Sequence, residues 1–180
     1  MDTPIFEITY KNDFESFKKL NILLEDRVLG KSKKKTKLYG VIQISLSVIY
    51  LALILITKQP LGTLTTALAV GIFFFGLFSL TYYPIFFKKK LEKVVDKYFH
   101  ETEYLQNEVS YQFYDTYWIE TNVEDSKEIP YGSIDEIVED ETTFFLFLGR
   151  TGICFPKSSF HGGEKEFLKF INERITKADK

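Results

Sequence analysis

The sequence predicts an α+β membrane protein, in which a two-helix transmembrane hairpin is joined to a cytoplasmic antiparallel sheet that a C-terminal helix covers. Three observations predict it. Two long uncharged apolar stretches lie back to back, lysines cluster at their outer ends, and the remainder of the chain alternates apolar and polar residues before a final amphipathic segment. Four regions follow: residues 1–37, the hairpin 38–87, a helical stalk 88–103, and a sheet-plus-helix domain 104–180.

Taken in order, residues 4–10 place Phe6, Ile8 and Tyr10 alternately with Glu7 and Thr9, the period of a short strand. Asn12-Asp13 then offers a helix cap, and Phe14, Phe17, Leu20, Leu24 and Val28 recur at three- and four-residue spacing up to Gly30. The helix has two readings, packing on the later sheet or lying in a membrane interface. Its mixed polar face, with Glu15, Glu25 and Asp26, favours the sheet.

Residues 38–57 and 61–87 each reach the roughly twenty apolar residues that span a bilayer core, and Lys58-Gln59-Pro60 leaves room only for a turn. Lys31, Lys33, Lys34, Lys35 and Lys37 precede the first span, while Lys88, Lys89, Lys90 and Lys93 follow the second. The positive-inside rule then puts both termini in the cytoplasm. Lys33, Lys34, Lys35, Lys88, Lys89 and Lys90 are the expected lipid headgroup anchors. The chain opens on polar residues, so the first span is expected to be a retained anchor rather than a cleaved signal.

Within the hairpin, Thr63, Ala67 and Gly71 stand four apart, a spacing that admits close helix approach. The approach is expected against the first span, with a contact between two copies as the alternative. Gln43, Ser45 and Ser47 are polar but not ionisable, so nothing in the spans marks an ion pathway. Pro84 beside Tyr82 and Tyr83 suits an interfacial kink.

Past the stalk, Val109–Phe113 and Tyr117–Thr121 read as a strand hairpin. A third strand ends at Ile129-Pro130, Tyr131-Gly132-Ser133 turns, and further strands follow at 134–139, 143–148 and 153–155 until Pro156 ends the ladder. In 164–176, Phe167, Phe170, Ile171 and Ile175 share one helical face. Tyr114, Tyr117 and Trp118 are the expected aromatic surface for a partner.

Charge narrows the functions. Residues 98–180 hold eight Lys or Arg against seventeen Asp or Glu, whereas residues 1–97 hold fifteen against eight. An acidic domain with its basic clusters committed to a membrane surface argues against nucleic acid. One cysteine, Cys154, excludes an intrachain disulfide, and with His100 and His161 it offers no zinc-site spacing. Asp135-Glu136 and Glu139-Asp140-Glu141 could gather a divalent cation or serve as an acid and base pair, but read better as the solvated face and turn of a strand hairpin. Ser158, Ser159 and His161 lack the elbow of a hydrolase nucleophile, and His161-Gly162-Gly163-Glu164 lacks phosphate-loop spacing. No catalytic residue, cofactor or metal is expected. The expected partners are the bilayer and another protein, with a homo-oligomer as an alternative.

Taken together, the N-terminal strand and helix, the hairpin, the Ile-Pro-Tyr-Gly-Ser-Ile-Asp-Glu-Ile-Val-Glu segment (129–139) and Phe-Pro-Lys-Ser-Ser-Phe (155–160) before a last helix resemble the YcxB-like family of bacterial membrane proteins over nearly the whole chain. The resemblance implies a pleckstrin-homology-like (PH-like) sheet domain and a multi-pass place in the bacterial cytoplasmic membrane. It brings no established activity. Two functions are therefore weighed: a membrane-anchored protein-interaction module acting through its sheet domain, and an integral immunity or modulator protein acting through its hairpin.

Overall fold

The computed structural model describes residues 3–57 and 62–178. Two compact units divide the chain, one made of residues 1–25 with 94–180 and the other of residues 26–93.

The first unit is discontinuous because its first strand is separated from the rest. Strand β1 (Phe6–Lys11) pairs antiparallel with β2 (Glu108–Phe113), from Phe6 opposite Phe113 to Lys11 opposite Glu108. Both long apolar helices are thus inserted into one strand-to-strand connection. Strands β3 (Tyr117–Thr121) and β4 (Ser126–Pro130) extend the sheet in the order β1-β2-β3-β4. Where one sheet was expected there are two: β5 (Glu136–Glu139), β6 (Thr143–Leu148) and β7 (Thr151–Pro156) form a separate three-stranded sheet. The break has a local cause. Pro130 lacks an amide hydrogen, and a 3-10 turn over Tyr131–Ser133, closed by the Ile134 amide on the Tyr131 carbonyl, redirects the chain.

The core lies between the sheets and under helix α4 (Glu164–Ala178). Phe167 sits within ring contact of Phe6, Phe113, Phe155 and Phe160, the last at 4.3 Å between centroids. Trp118 stacks on Phe113 at 5.6 Å, and neither ring is exposed. Aromatic groups of this size dominate core energetics through the area they remove from water.

Strand β6, Thr-Phe-Phe-Leu-Phe-Leu, is apolar on both faces because both are covered. Phe144 and Leu146 face the core, while Phe145 and Phe147 pack with Leu20 and Cys154. Leu20 belongs to helix α1 (Phe14–Thr57), so the start of that helix lies on the sheet. Gly152 makes room for it: a Cβ there would stand 2.8 Å from Leu20 Cδ1 and 3.0 Å from the Leu146 carbonyl oxygen.

Helix α1 does not stop at Gly30. It runs without interruption for 44 residues, through the lysines and the apolar stretch together. A glycine costs a helix only about 1 kcal/mol, which flanking helix formers offset. In the second unit, α1 meets helix α2 (Thr63–Thr81) at glycines, but not those the small-residue pattern marked. A Cβ on Gly76 would lie 2.9 Å from the Gly40 carbonyl oxygen and 2.8 Å from Ile44 Cγ1, and one on Gly40 would lie 2.9 Å from the Gly76 carbonyl oxygen. Gly71 has nothing within 4 Å of that position and Ala67 is exposed. Ser47 and Ser79 are buried and return their hydroxyls to the Gln43 and Phe75 carbonyls at 2.8 and 2.9 Å. The expected turn at Lys58-Gln59-Pro60 and the Thr63 side chain lie outside the described residues.

At Pro84 the helix widens into a π segment, Tyr82–Phe87, before helix α3 (Lys88–Glu101) continues it. Proline has no amide hydrogen to give the carbonyl four residues back and its ring crowds that oxygen. One wider turn, with the Lys88 amide on the Tyr83 carbonyl, absorbs the mismatch.

Candidate functional site

The six anchoring lysines all fall in the second unit. Lys34, Lys35, Lys88, Lys89 and Lys90 are exposed. Lys33 reaches Asp26 at 2.6 Å and lies 5.9 Å from the centroid of the Tyr83 ring. Lys31, Lys33, Lys34 and Lys37 border an open groove of about 480 Å³ with Asp26, Arg27 and Gly30.

The aromatic surface requires a correction. Trp118 faces inward with no exposure and cannot meet a partner. Its place follows from the two-residue period of β3, on which Trp118 and Glu120 point to the inner face and Tyr117 and Ile119 to the other. Tyr114 and Tyr117 are half-buried and stack on each other at 5.0 Å, with the Tyr114 hydroxyl donating to Gln112 Oε1 at 3.1 Å.

The carboxylates singled out in the sequence hold loops. Asp135 Oδ2 accepts the Gly149 amide at 2.7 Å, and Glu139 pairs with Lys157 at 2.6 Å. Asp140 Oδ1 accepts the Thr142 and Thr143 amides at 2.8 and 2.6 Å, and Oδ2 meets the Lys19 ammonium. Burial works against its charge, but these donors outweigh it and hold the carboxyl at about 2. His161 is exposed, in the left-handed conformation at φ 50° that ends a 3-10 turn over Lys157–Phe160. Among the described residues, no three His, Cys, Asp or Glu side chains gather closely enough to hold a metal ion.

What the sequence reading missed is a half-open cavity of about 450 Å³ in the first unit. Leu105, Ile129, Leu148 and Ile153 supply apolar walls, Tyr104 and Tyr111 supply rings, and Cys154 lies on the floor. The mouth is acidic: Glu124 and Asp125 stand on the β3–β4 turn, which Asn122 organises by accepting both their amides at 2.8 and 2.9 Å.

Glu120 lines the same cavity. It sits opposite Tyr111 on β2 and Lys127 on β4, and among the described residues its carboxylate has neither a hydrogen bond nor an ion pair. Burial raises its pKa, and the Lys127 charge only partly opposes that. Burial likewise pushes the Cys154 thiol up to about 12, leaving it protonated and unreactive at neutral pH. Tyr104 rises to about 12 through burial and the 3.1 Å contact between its hydroxyl and that of Tyr98. The Tyr10 hydroxyl closes the floor by donating to the Cys154 carbonyl at 2.6 Å. The alternation of β3 puts Glu120 on the face of Trp118, but it does not tell which face is the inner one.

Residues 115–171 match the family model described as YcxB-like protein. This part of the chain is similar to the YcxB-like family. The matched segment holds β3 through β7 and the first half of α4, and with them Glu120, Ile129 and Cys154. The match is shorter than the resemblance noted in the sequence, since it leaves out β1, α1, α2, α3 and β2. No curated protein and no solved structure matched the chain.

Proposed function

We propose that the chain is a membrane-anchored module of the bacterial cytoplasmic membrane whose PH-like unit binds another protein on the cytoplasmic side. One observation carries this reading: two helices long and apolar enough to cross a bilayer rise from a single connection of a complete antiparallel unit. A hairpin inserted in this way would tether the sheet unit to the bilayer. The lysines at the ends of the apolar stretches give the orientation, with both termini in the cytoplasm. Two antiparallel sheets closed by a C-terminal helix support the PH-like description. Binding at a sheet edge or groove needs no catalytic group, in keeping with carboxylates that cap turns.

The test is crosslinking in intact cells with recovery through a C-terminal tag. A reproducible protein crosslinked within residues 108–178 supports the reading. Recovery of the chain in the soluble fraction would overturn the anchor, and crosslinks to other proteins confined to residues 38–81 would move the function to the hairpin.

That second reading, an integral immunity or modulator protein, has one observation in its favour. Ala67 and Gly71 are exposed on α2 while Gly76 makes the contact with Gly40 of α1, so a small-residue strip lies off that contact. Substituting Ala67 and Gly71 by leucine separates the readings. Loss of hairpin crosslinks with an unchanged partner at the sheet unit favours the first, and loss of the partner itself favours the second.

A further inference from the structure

We propose that the cavity of the sheet unit is a binding site for a small organic cation, an ammonium group on an apolar body, with Glu120 as its counter-ion. This goes beyond the protein-interaction reading and does not depend on it.

The volume, about 450 Å³, is that of a small-molecule site. Its walls are apolar at Leu105, Ile129 and Leu148, which fits a hydrophobic body, and the part-exposed ring of Tyr104 adds an aromatic side. Glu120 projects from the inner face of β3, where the preceding inward residue is the fully buried Trp118. Glu120 is half-buried among these walls and among the described residues has no hydrogen bond or ion pair, so an incoming cation would supply its carboxylate with a partner.

Charge decides the ligand's sign. Three carboxylates, Glu120, Glu124 and Asp125, line the cavity against one ammonium, Lys127. An anion would meet like charge at the wall and at the mouth. A metal ion is disfavoured too, because these carboxylates do not converge as a ligand set among the described residues. An organic cation satisfies one half-buried carboxylate without needing several to meet at a point.

The same chemistry could be presented by a free amine or by a lysine side chain of a peptide, and the experiment separates them. Phenethylammonium is titrated onto the full chain in lipid nanodiscs, with Trp118, the single tryptophan, as fluorescence reporter. Phenylethanol serves as the neutral control and a short lysine-bearing peptide as the second source. The expected result is a saturable change with phenethylammonium, weakened at least tenfold in Glu120→Gln and absent with phenylethanol. An unchanged Trp118 emission maximum in the free variant shows that the core is intact. Asp125→Asn, at the mouth, should weaken binding less than Glu120→Gln. Equal binding of the alcohol, equal binding by Glu120→Gln, saturation by the peptide alone, or no saturation by either cation overturns the proposal.

Discussion

Tyr10 joins the two sheets with a single hydroxyl. Its bond to the Cys154 carbonyl is buried, so Tyr10→Phe leaves that oxygen without its donor and should cost about 1–3 kcal/mol in denaturant unfolding. A change that leaves stability untouched would mean that water replaces the donor. Asp140 sets a pH dependence with a definite sign. Its folded pKa, about 2, lies below the ordinary 3.8, so its contribution is full above pH 4 and disappears as pH falls towards 2. Asp140→Asn should flatten that part of the stability profile, whereas a profile identical to the parent's would remove Lys19 and the two amides as the cause. Residue roles were the least legible part of the sequence. The alternation along β3 was visible, yet both of its faces carry large residues, Tyr117 and Ile119 against Trp118. Only knowing which side meets the second sheet places Trp118 and Glu120 inside.

Elements were more legible than their limits and contacts. The strands and the closing helix follow from two-residue and 3.6-residue periods where one face is buried, as in β1, β2 and α4, whereas β6 shows as a continuous apolar run because both its faces are covered. The end of the first helix did not follow from Gly30, since helix length is decided by the sum over many residues and one glycine is a small term. Nor did the crossing of α1 and α2. Thr63, Ala67 and Gly71 have the spacing, but Gly40 and Gly76 have the partner, and spacing within one helix carries no information about which face the other approaches. Gly76→Val must push on the backbone oxygen of Gly40 and on Ile44, so spin labels on the two helices should report a wider separation. Gly71→Val meets open space and should leave that distance unchanged; equal effects from both would refute the crossing. Gly152→Val should destabilise the sheet unit by about 1–3 kcal/mol, as overpacking does, because it competes with Leu20 and the Leu146 carbonyl. A neutral effect in chemical unfolding would show that Leu20 can move aside.

For the molecule as a whole, the sequence revealed the apolar pair and the strand-rich remainder directly, but it hid the way they are threaded. The discontinuity of the first unit is a pairing between distant segments, and no local pattern encodes it. Removing residues 3–11 therefore strips β2 of a neighbour along its whole length and takes Phe6, Ile8 and Tyr10 out of the core. Amide exchange in β2 should rise towards that of an open edge, and the unit should lose its cooperative unfolding. Retained protection in β2 would show that β1 is dispensable.

Threading of this kind also sets an order of events during synthesis. Thr9 and Ser110, neighbours across β1 and β2, are 101 residues apart, so the first strand leaves the ribosome long before its mate exists. Both apolar helices must be made, and if they enter a bilayer must do so, while β1 waits unpaired. Closing so long a loop is slow and costly in chain entropy. The β1–β2 register is thus a late contact, which cannot form before everything between the two strands has been synthesised.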